Sequence, residues 1–235
     1  MKVAVIVFPG SNADWDALHA ARDVLGADAR YVFHKETELG DADAVIIPGG
    51  FAHGDYLRCG AIARFSPIAD AVQRFAAKGG PVLGICNGFQ VLTEMHLLPG
   101  ALTRNANLRF ECRDVWVKVE SGGAWTGAID VGKLIRLPVA HGEGRYECDA
   151  ATLERLEGEG LVALRYVGPD GERDPRGTPN GSVNDIAGIY AERRNVLGLM
   201  PHPERAAERI LGNDDGRGIF ESLRLHLEGG KVVAA

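Results

Sequence analysis

The chain's 235 residues are 46% hydrophobic and 25% charged, a globular balance that excludes a disordered chain and leaves room for one sizeable core. Asp and Glu total 32 against 26 Lys and Arg, a formal −6 at pH 7, which argues against a nucleic-acid or anionic-membrane partner. Cys59, Cys86, Cys112 and Cys148 form neither a CxxC pair nor a His/Cys spacing suited to zinc, so reduced thiols and no metal site are expected.

The opening run MKVAVIVFPG is cut short by Pro9 and Gly10 and reads as a strand rather than a signal peptide. No window reaches the ~18 apolar residues of a membrane span, so a soluble, cytoplasmic protein is expected. Residues 3–8 form a β-branched run suited to a buried parallel strand, and 14–25 space Trp15, Leu18, Ala21, Val24 and Leu25 at helical intervals before Gly26. Strands are predicted at 29–33, 44–47 and 81–85, with helices at 62–78 and 87–97. This alternation predicts βαβ units and an α/β fold, a doubly wound, mostly parallel sheet of the flavodoxin-like kind.

The middle of the chain changes character. Residues 108–120, 128–139 and 161–167 read as strands with hairpin-type connections, and 150–157 as a short helix. The turn-rich stretch 168–184 is predicted to be a functional or flexible loop. Strands at 186–191 and 195–200 and a helix at 218–227 complete one domain over 2–228, with a tail at 229–235.

The sharpest chemical signal is Gly84-Ile85-Cys86-Asn87-Gly88, where a strand meets a helix. Glycines two positions either side of the cysteine make the nucleophile-elbow pattern, with Cys in place of Ser. The helix N-terminus that follows favours negative charge and so a thiolate. A lone cysteine is ordinarily a small buried hydrophobe, and Cys59, Cys112 and Cys148, without such flanks, are expected to be inert.

A thiolate needs a base and an orienting carboxylate. Met200-Pro201-His202-Pro203-Glu204 follows a strand, and Pro203 pushes His202 toward an extended conformation. Side chains two apart in an extended segment share a face, so Glu204 is expected to reach the imidazole of His202. His19, His96 and His226 are expected merely to decorate helices.

Amide cleavage also needs donors for a developing oxyanion. The N–H of Asn87 is one candidate, and the backbone of Pro48-Gly49-Gly50, at the end of another parallel strand, is the second. Pro9-Gly10-Ser11-Asn12 ends the first strand likewise, and such carboxyl ends share the ligand-binding rim of an open sheet. Residues 50–58 are equally readable as a substrate or partner loop and as a polar connection. His141-Gly142-Glu143-Gly144-Arg145 follows a strand and lets backbone approach a substrate, and no further ligands join His141 and Glu143 to make a metal site. There is no phosphate-cradling motif, so ATP binding within this chain is not expected.

GICNGFQ together with PHPE resembles the class I (triad) glutamine amidotransferases. FPGSNAD, PGGFAHGDYLRCGAIA, VAHGEGRY, PNGSVNDIAGI and NVLGLMPHPER are similar to the branch of that family that serves purine biosynthesis, and the likeness runs from Lys2 to about Leu227. The resemblance implies the class I glutamine amidotransferase fold and a triad of Cys86, His202 and Glu204. It implies an oxyanion hole at the backbones of Gly50 and Asn87, and a glutamine pocket lined by Gln90 and the His141 segment. It implies a glutaminase subunit without a cofactor of its own. ATP, Mg²⁺ and formylglycinamide ribonucleotide would belong to a larger synthase subunit, with a small third subunit bridging the two. Ala13, where many relatives carry cysteine, and His53, in place of a more usual tyrosine, depart from the pattern only in loops. A Cys hydrolase on the same scaffold would not need the PHPE segment. A noncatalytic subunit would not need an intact Cys86, His202 and Glu204.

Overall fold

The computed structural model describes residues 1–173 and 178–229, so all but the first residue of the expected tail, and the centre of the 168–184 stretch, lie outside the described residues. The first half of the chain forms β1 (Lys2–Val7), α1 (Asp14–His19), β2 (Asp28–Phe33), β3 (Ala44–Ile47), α2 (Pro67–Ala77), β4 (Val82–Ile85) and α3 (Asn87–Glu94). The second half adds β5 (Ala101–Thr103), β6 (Glu111–Val119), β7 (Leu134–His141), β8 (Arg145–Glu147), α4 (Ala150–Gly158), β9 (Val162–Val167), β10 (Ile186–Tyr190), β11 (Val196–Leu199) and α5 (Arg217–Leu227).

Nine strands make one sheet in the order β2-β1-β3-β4-β11-β10-β9-β6-β7. From β2 to β11 neighbours run parallel, the doubly wound α/β half expected from the alternation. From β11 to β7 the neighbours run antiparallel. β3 and β4 are buried at every position, which is why their sequences are unbroken apolar runs. A separate two-stranded pairing, β5 with β8, was not legible in the sequence. Among the described residues no helix is long and apolar enough to cross a membrane.

Several boundaries differ from expectation: the helix predicted at 14–25 is α-helical over Asp14–His19 and π-helical over Ala20–Val24, the one predicted at 87–97 ends at Glu94, and three others differ for local reasons. The helix predicted at 62–78 is broken: Ala63–Phe65 is a 3₁₀ turn, and α2 starts afresh at Pro67 with Ser66 extended at φ −68°, ψ 143°. A residue before proline is driven out of the α region, whereas proline suits the first helical position. The strand predicted at 128–139 is confined to Leu134–His141, because turns occupy the preceding residues and Gly132 takes φ +89°. β6 begins at Glu111, after Leu108 turns left-handed at φ +57°.

The elbow glycines are explained by close approach. A Cβ on Gly88 would lie 2.0 Å from the Ile47 carbonyl oxygen, and one on Gly84 would lie 2.7 Å from the backbone carbonyl of Gly88. α3 therefore lies directly against the end of β3, with no space for a methyl group. A Gly88→Ala variant is expected to lose about 1–3 kcal/mol of stability through overpacking. Urea unfolding measures this, and a wild-type midpoint would refute the close approach.

Candidate active site

Cys86 sits between β4 and α3 at φ 51°, ψ −105°, a conformation that costs a non-glycine residue strain. Its amide donates to Leu199 O at 2.8 Å, and its Sγ lies 3.8 Å from Ala140 O. β4 and β11 pair in register through Ile85 and Leu199, so the segments after both strands leave the sheet side by side. The second of these segments carries His202, whose amide is fixed by Pro138 O at 2.8 Å. Gly49 marks where three strand ends converge. A Cβ there would meet His202 Cε1 at 2.8 Å and the Cβ of Cys86 at 3.5 Å.

His202 Nδ1 lies 2.5 Å from Glu204 Oε1, and both residues are 2% exposed. The expected pairing is present, but not through a continuous strand. His202, at φ −104°, ψ 89°, is outside the α region but not in a regular extended conformation, and Glu204 lies in the 3₁₀ turn Pro203–Ala206. Burial opposes a charged imidazole, yet the Glu204 carboxylate and Cys86 outweigh it and hold His202 up to about 10. The ring therefore carries its proton at neutral pH, on the Nε2 side as well as toward Glu204. Nε2 has no hydrogen-bond partner.

Gly50 adopts φ +147°, and a Cβ there would lie 2.7 Å from Ser11 Cα and 2.8 Å from Gly10 O. Glycine alone lets the ends of β1 and β3 press together here, bridged at Ser11 and Gly50. The Asn87 N–H opens α3 and has no acceptor within its own helix. The Asn87 side chain ties three segments together. Oδ1 accepts from Ala52 N–H at 3.0 Å, and Nδ2 donates to Gln90 Oε1 at 2.8 Å and Asp55 Oδ1 at 3.3 Å. Gln90 Nε2 in turn donates to Glu143 O at 2.6 Å. The first turn of α3 thus holds both the 51–58 loop and the segment after β7.

These residues enclose a cavity of about 220 Å³ whose walls include Gly50, Cys86, Gln90, Ala140, His141 and Glu143. A cavity of about 460 Å³ lies elsewhere, between Ala76, Pro99, Arg155 and Arg193, and holds none of the candidate site residues, only His96, which was expected to play no part in the chemistry. Size favours the second and chemistry the first; the strained thiol and the buried His141 in its wall decide for the smaller one.

Cys59 is buried in the wall of the 220 Å³ cavity, where burial, then Glu143 and Asp55, push its thiol up and keep it protonated. That agrees with its expected inertness. Burial also raises Asp55 above the usual carboxylate range. His141 is 3% exposed, and burial first, then His202, pushes it down to about 4. Behind it, Asn105 places Oδ1 3.1 Å from His141 Nδ1. Asn105, fully buried, went unnoticed in the sequence, since no spacing or flanking pattern distinguishes it there. Among the described residues no group of three or more His, Cys, Asp or Glu is placed to hold a metal ion. Thiol, imidazole and carboxylate in series beside a cavity with free backbone donors are the set that covalent acyl transfer requires.

Comparison with known proteins agrees with that chemistry. Residues 1–218 match the sequence model of the CobB/CobQ-like glutamine amidotransferase domain. The chain is 56% identical over 235 residues to phosphoribosylformylglycinamidine synthase subunit PurQ of Salinibacter ruber, covering 100% of this chain and 99% of that one. It is 55% identical over 235 residues to the PurQ subunit of Trichormus variabilis, again covering 100% and 99%. Among solved structures it resembles a chain of PurLQS from Thermotoga maritima, with TM-score 0.84, 42% identity, and 96% and 98% of the two chains covered. With a family match over nearly its whole length and a thiol–imidazole–carboxylate series at the sheet rim, the chain belongs to the glutamine amidotransferases, in the family of PurQ subunits of phosphoribosylformylglycinamidine synthase.

Proposed function

We propose that this chain hydrolyses glutamine at Cys86 and passes the ammonia to a large synthase subunit. That partner uses ATP and Mg²⁺ to convert formylglycinamide ribonucleotide to formylglycinamidine ribonucleotide, a purine-biosynthetic step carried out in the cytoplasm. A small third subunit bridges the two, and residues 2–228 act as one domain that needs no cofactor of its own. The observation that carries this reading is the strained Cys86 beside the buried His202–Glu204 pair.

The Cys86 thiolate attacks the carboxamide carbon of glutamine, forming the C–S bond and pushing the carbonyl electrons onto oxygen. The N–H groups of Gly50 and Asn87 receive that oxyanion. Protonated His202 gives its Nε2 proton to the amide nitrogen, the C–N bond breaks, and ammonia leaves. Water then attacks the γ-glutamyl thioester, giving a proton to His202, and glutamate departs as the C–S bond breaks. Glu204 holds the ring in place through both transfers. The raised imidazole favours a His202 that already carries the proton it gives to the leaving nitrogen.

Tyr56 and Leu57 support a docked partner, being 74% and 86% exposed on the 51–58 loop. The loop connects through Ala52 to Asn87, and directly to Gly50, so pressure on it reaches both oxyanion donors. An oxyanion donor contributes ~3 kcal/mol, about a hundredfold in rate. Glutamine hydrolysis is therefore expected to rise by about that factor when the synthase subunits, ATP and acceptor nucleotide are added. An unchanged rate, or ATP hydrolysis by this chain alone, would show that it acts independently.

A further inference from the structure

Two rings near Cys86 have a buried nitrogen without a hydrogen-bond partner, Nε2 of His202 and Nε2 of His141. They are close enough to interact electrostatically, and His141 shares the cavity wall with Cys86. The state of His141 is set from behind. Asn105 cannot turn its amide nitrogen toward the ring, because Nδ2 already donates to His141 O at 2.9 Å and Arg109 O at 2.7 Å. Asn105 Oδ1 also accepts from the Gly144 N–H at 3.0 Å. An oxygen facing Nδ1 at 3.1 Å requires the proton on Nδ1, which leaves Nε2 with only a lone pair. Deep burial disfavours a second proton, so the ring is neutral at working pH.

We propose that His141 Nε2 accepts a hydrogen bond from the carboxamide N–H of glutamine, so that the leaving nitrogen is held between an acceptor on His141 and a donor on His202. The inference rests on the glutaminase reading above and assigns the feature that distinguishes an amide from an acid or an ester. The carboxamide nitrogen alone among these groups both gives a hydrogen bond and, once its carbon is tetrahedral, offers a lone pair for a proton. In this bracket one N–H stays on His141 while the lone pair faces the Nε2–H of His202. The proton moves from His202 to nitrogen, the C–N electron pair goes with the nitrogen, and His141 takes no proton. Glutamate, the product, would set a carboxylate oxygen against the His141 lone pair and be repelled. An ester has no N–H to give. Asn105 is a positioning residue, acting on substrate only through the tautomer it imposes.

The test compares kcat/KM for glutamine and for glutamate γ-methyl ester in the complex reconstituted with the synthase subunits. His141→Leu is expected to lose roughly tenfold or more on glutamine, the worth of one substrate hydrogen bond, and much less on the ester. Equal losses on both substrates would overturn the assignment and leave His141 a structural residue. Should the buried variant fail to fold, nitrogen-detected NMR of the wild-type ring decides independently. A neutral Nδ1–H tautomer at pH 7 is required, and an Nε2–H tautomer overturns the proposal. Wild-type protein that releases no ammonia from glutamine would overturn the glutaminase reading as well.

Discussion

Replacing Cys86 with alanine is expected to abolish ammonia release from glutamine while leaving the folded protein intact. The sulfur supplies the only bond to the acyl group in the proposed route, and the alanine keeps the backbone and Cβ that the elbow packs around. An alkylating glutamine analogue is expected to add one label, at Cys86. Cys59 shares the cavity, but burial and two nearby carboxylates hold its thiol protonated, so it is a poor nucleophile. Mass spectrometry of the labelled chain and an ammonia assay of the variant check both points. Substantial turnover without Cys86, or a label on Cys59, would sink the assignment.

His202→Asn is expected to lower glutamine hydrolysis by about 10²–10⁴-fold, the usual worth of a positioned proton donor and acceptor. Glu204→Gln is expected to cost less, because it removes the group that orients and charges the ring rather than the ring itself. Glu204→Gln keeps the ring, so its effect is read by titration as well as by rate. In the folded chain His202 is raised from an ordinary 6.5 to about 10. The stability this contributes is fully present below about 6.5 and is lost as pH rises through about 10. Glu204→Gln removes the leading favourable influence and leaves burial in place, so the imidazole should release its proton at a lower pH. NMR titration of the ring measures this. A nearly harmless His202→Asn beside a crippling His141→Ala would show that the proton donor had been assigned to the wrong histidine.

The elbow was legible because its constraint is steric and local. A Cβ on Gly84 would come within 2.7 Å of the Gly88 carbonyl and one on Gly88 within 2.0 Å of the Ile47 carbonyl oxygen, so the requirement for glycine is written into the spacing. His202 and Glu204 were legible for a similar reason, since Pro203 restricts the backbone between them, although the turn that delivers Glu204 is 3₁₀ rather than extended. The α/β alternation was legible in the parallel half of the sheet, where β3, β4 and β11 are buried at every position. The antiparallel half was harder. Its strand at Leu134–His141 follows turns whose residues look equally strand-like, and the β5–β8 pairing joins three-residue segments with no periodicity to detect. Asn105 was invisible because its role comes from partners at His141, Gly144 and Arg109 rather than from its neighbours in sequence. Ser66 was misjudged as helical although Pro67 follows it, an available signal outweighed by helical periodicity around it.

The place of β11 in the sheet has a consequence for the chain during synthesis. β4 is buried along its whole length, and while β3 covers one of its edges early, the other edge finds its neighbour only at β11, pairing Val82 with Val196. Until the last part of the polypeptide leaves the ribosome, β4 exposes an unpaired, wholly apolar edge. Such an edge invites association with other chains. Pairings this distant in sequence also slow folding, since the loop between them must be closed before any contact is gained. The same late event carries His202 to Cys86, so the thiol acquires its proton partner only when the sheet is complete. A chain stopped before residue 196 would carry the thiol without the base, and with an open sheet edge.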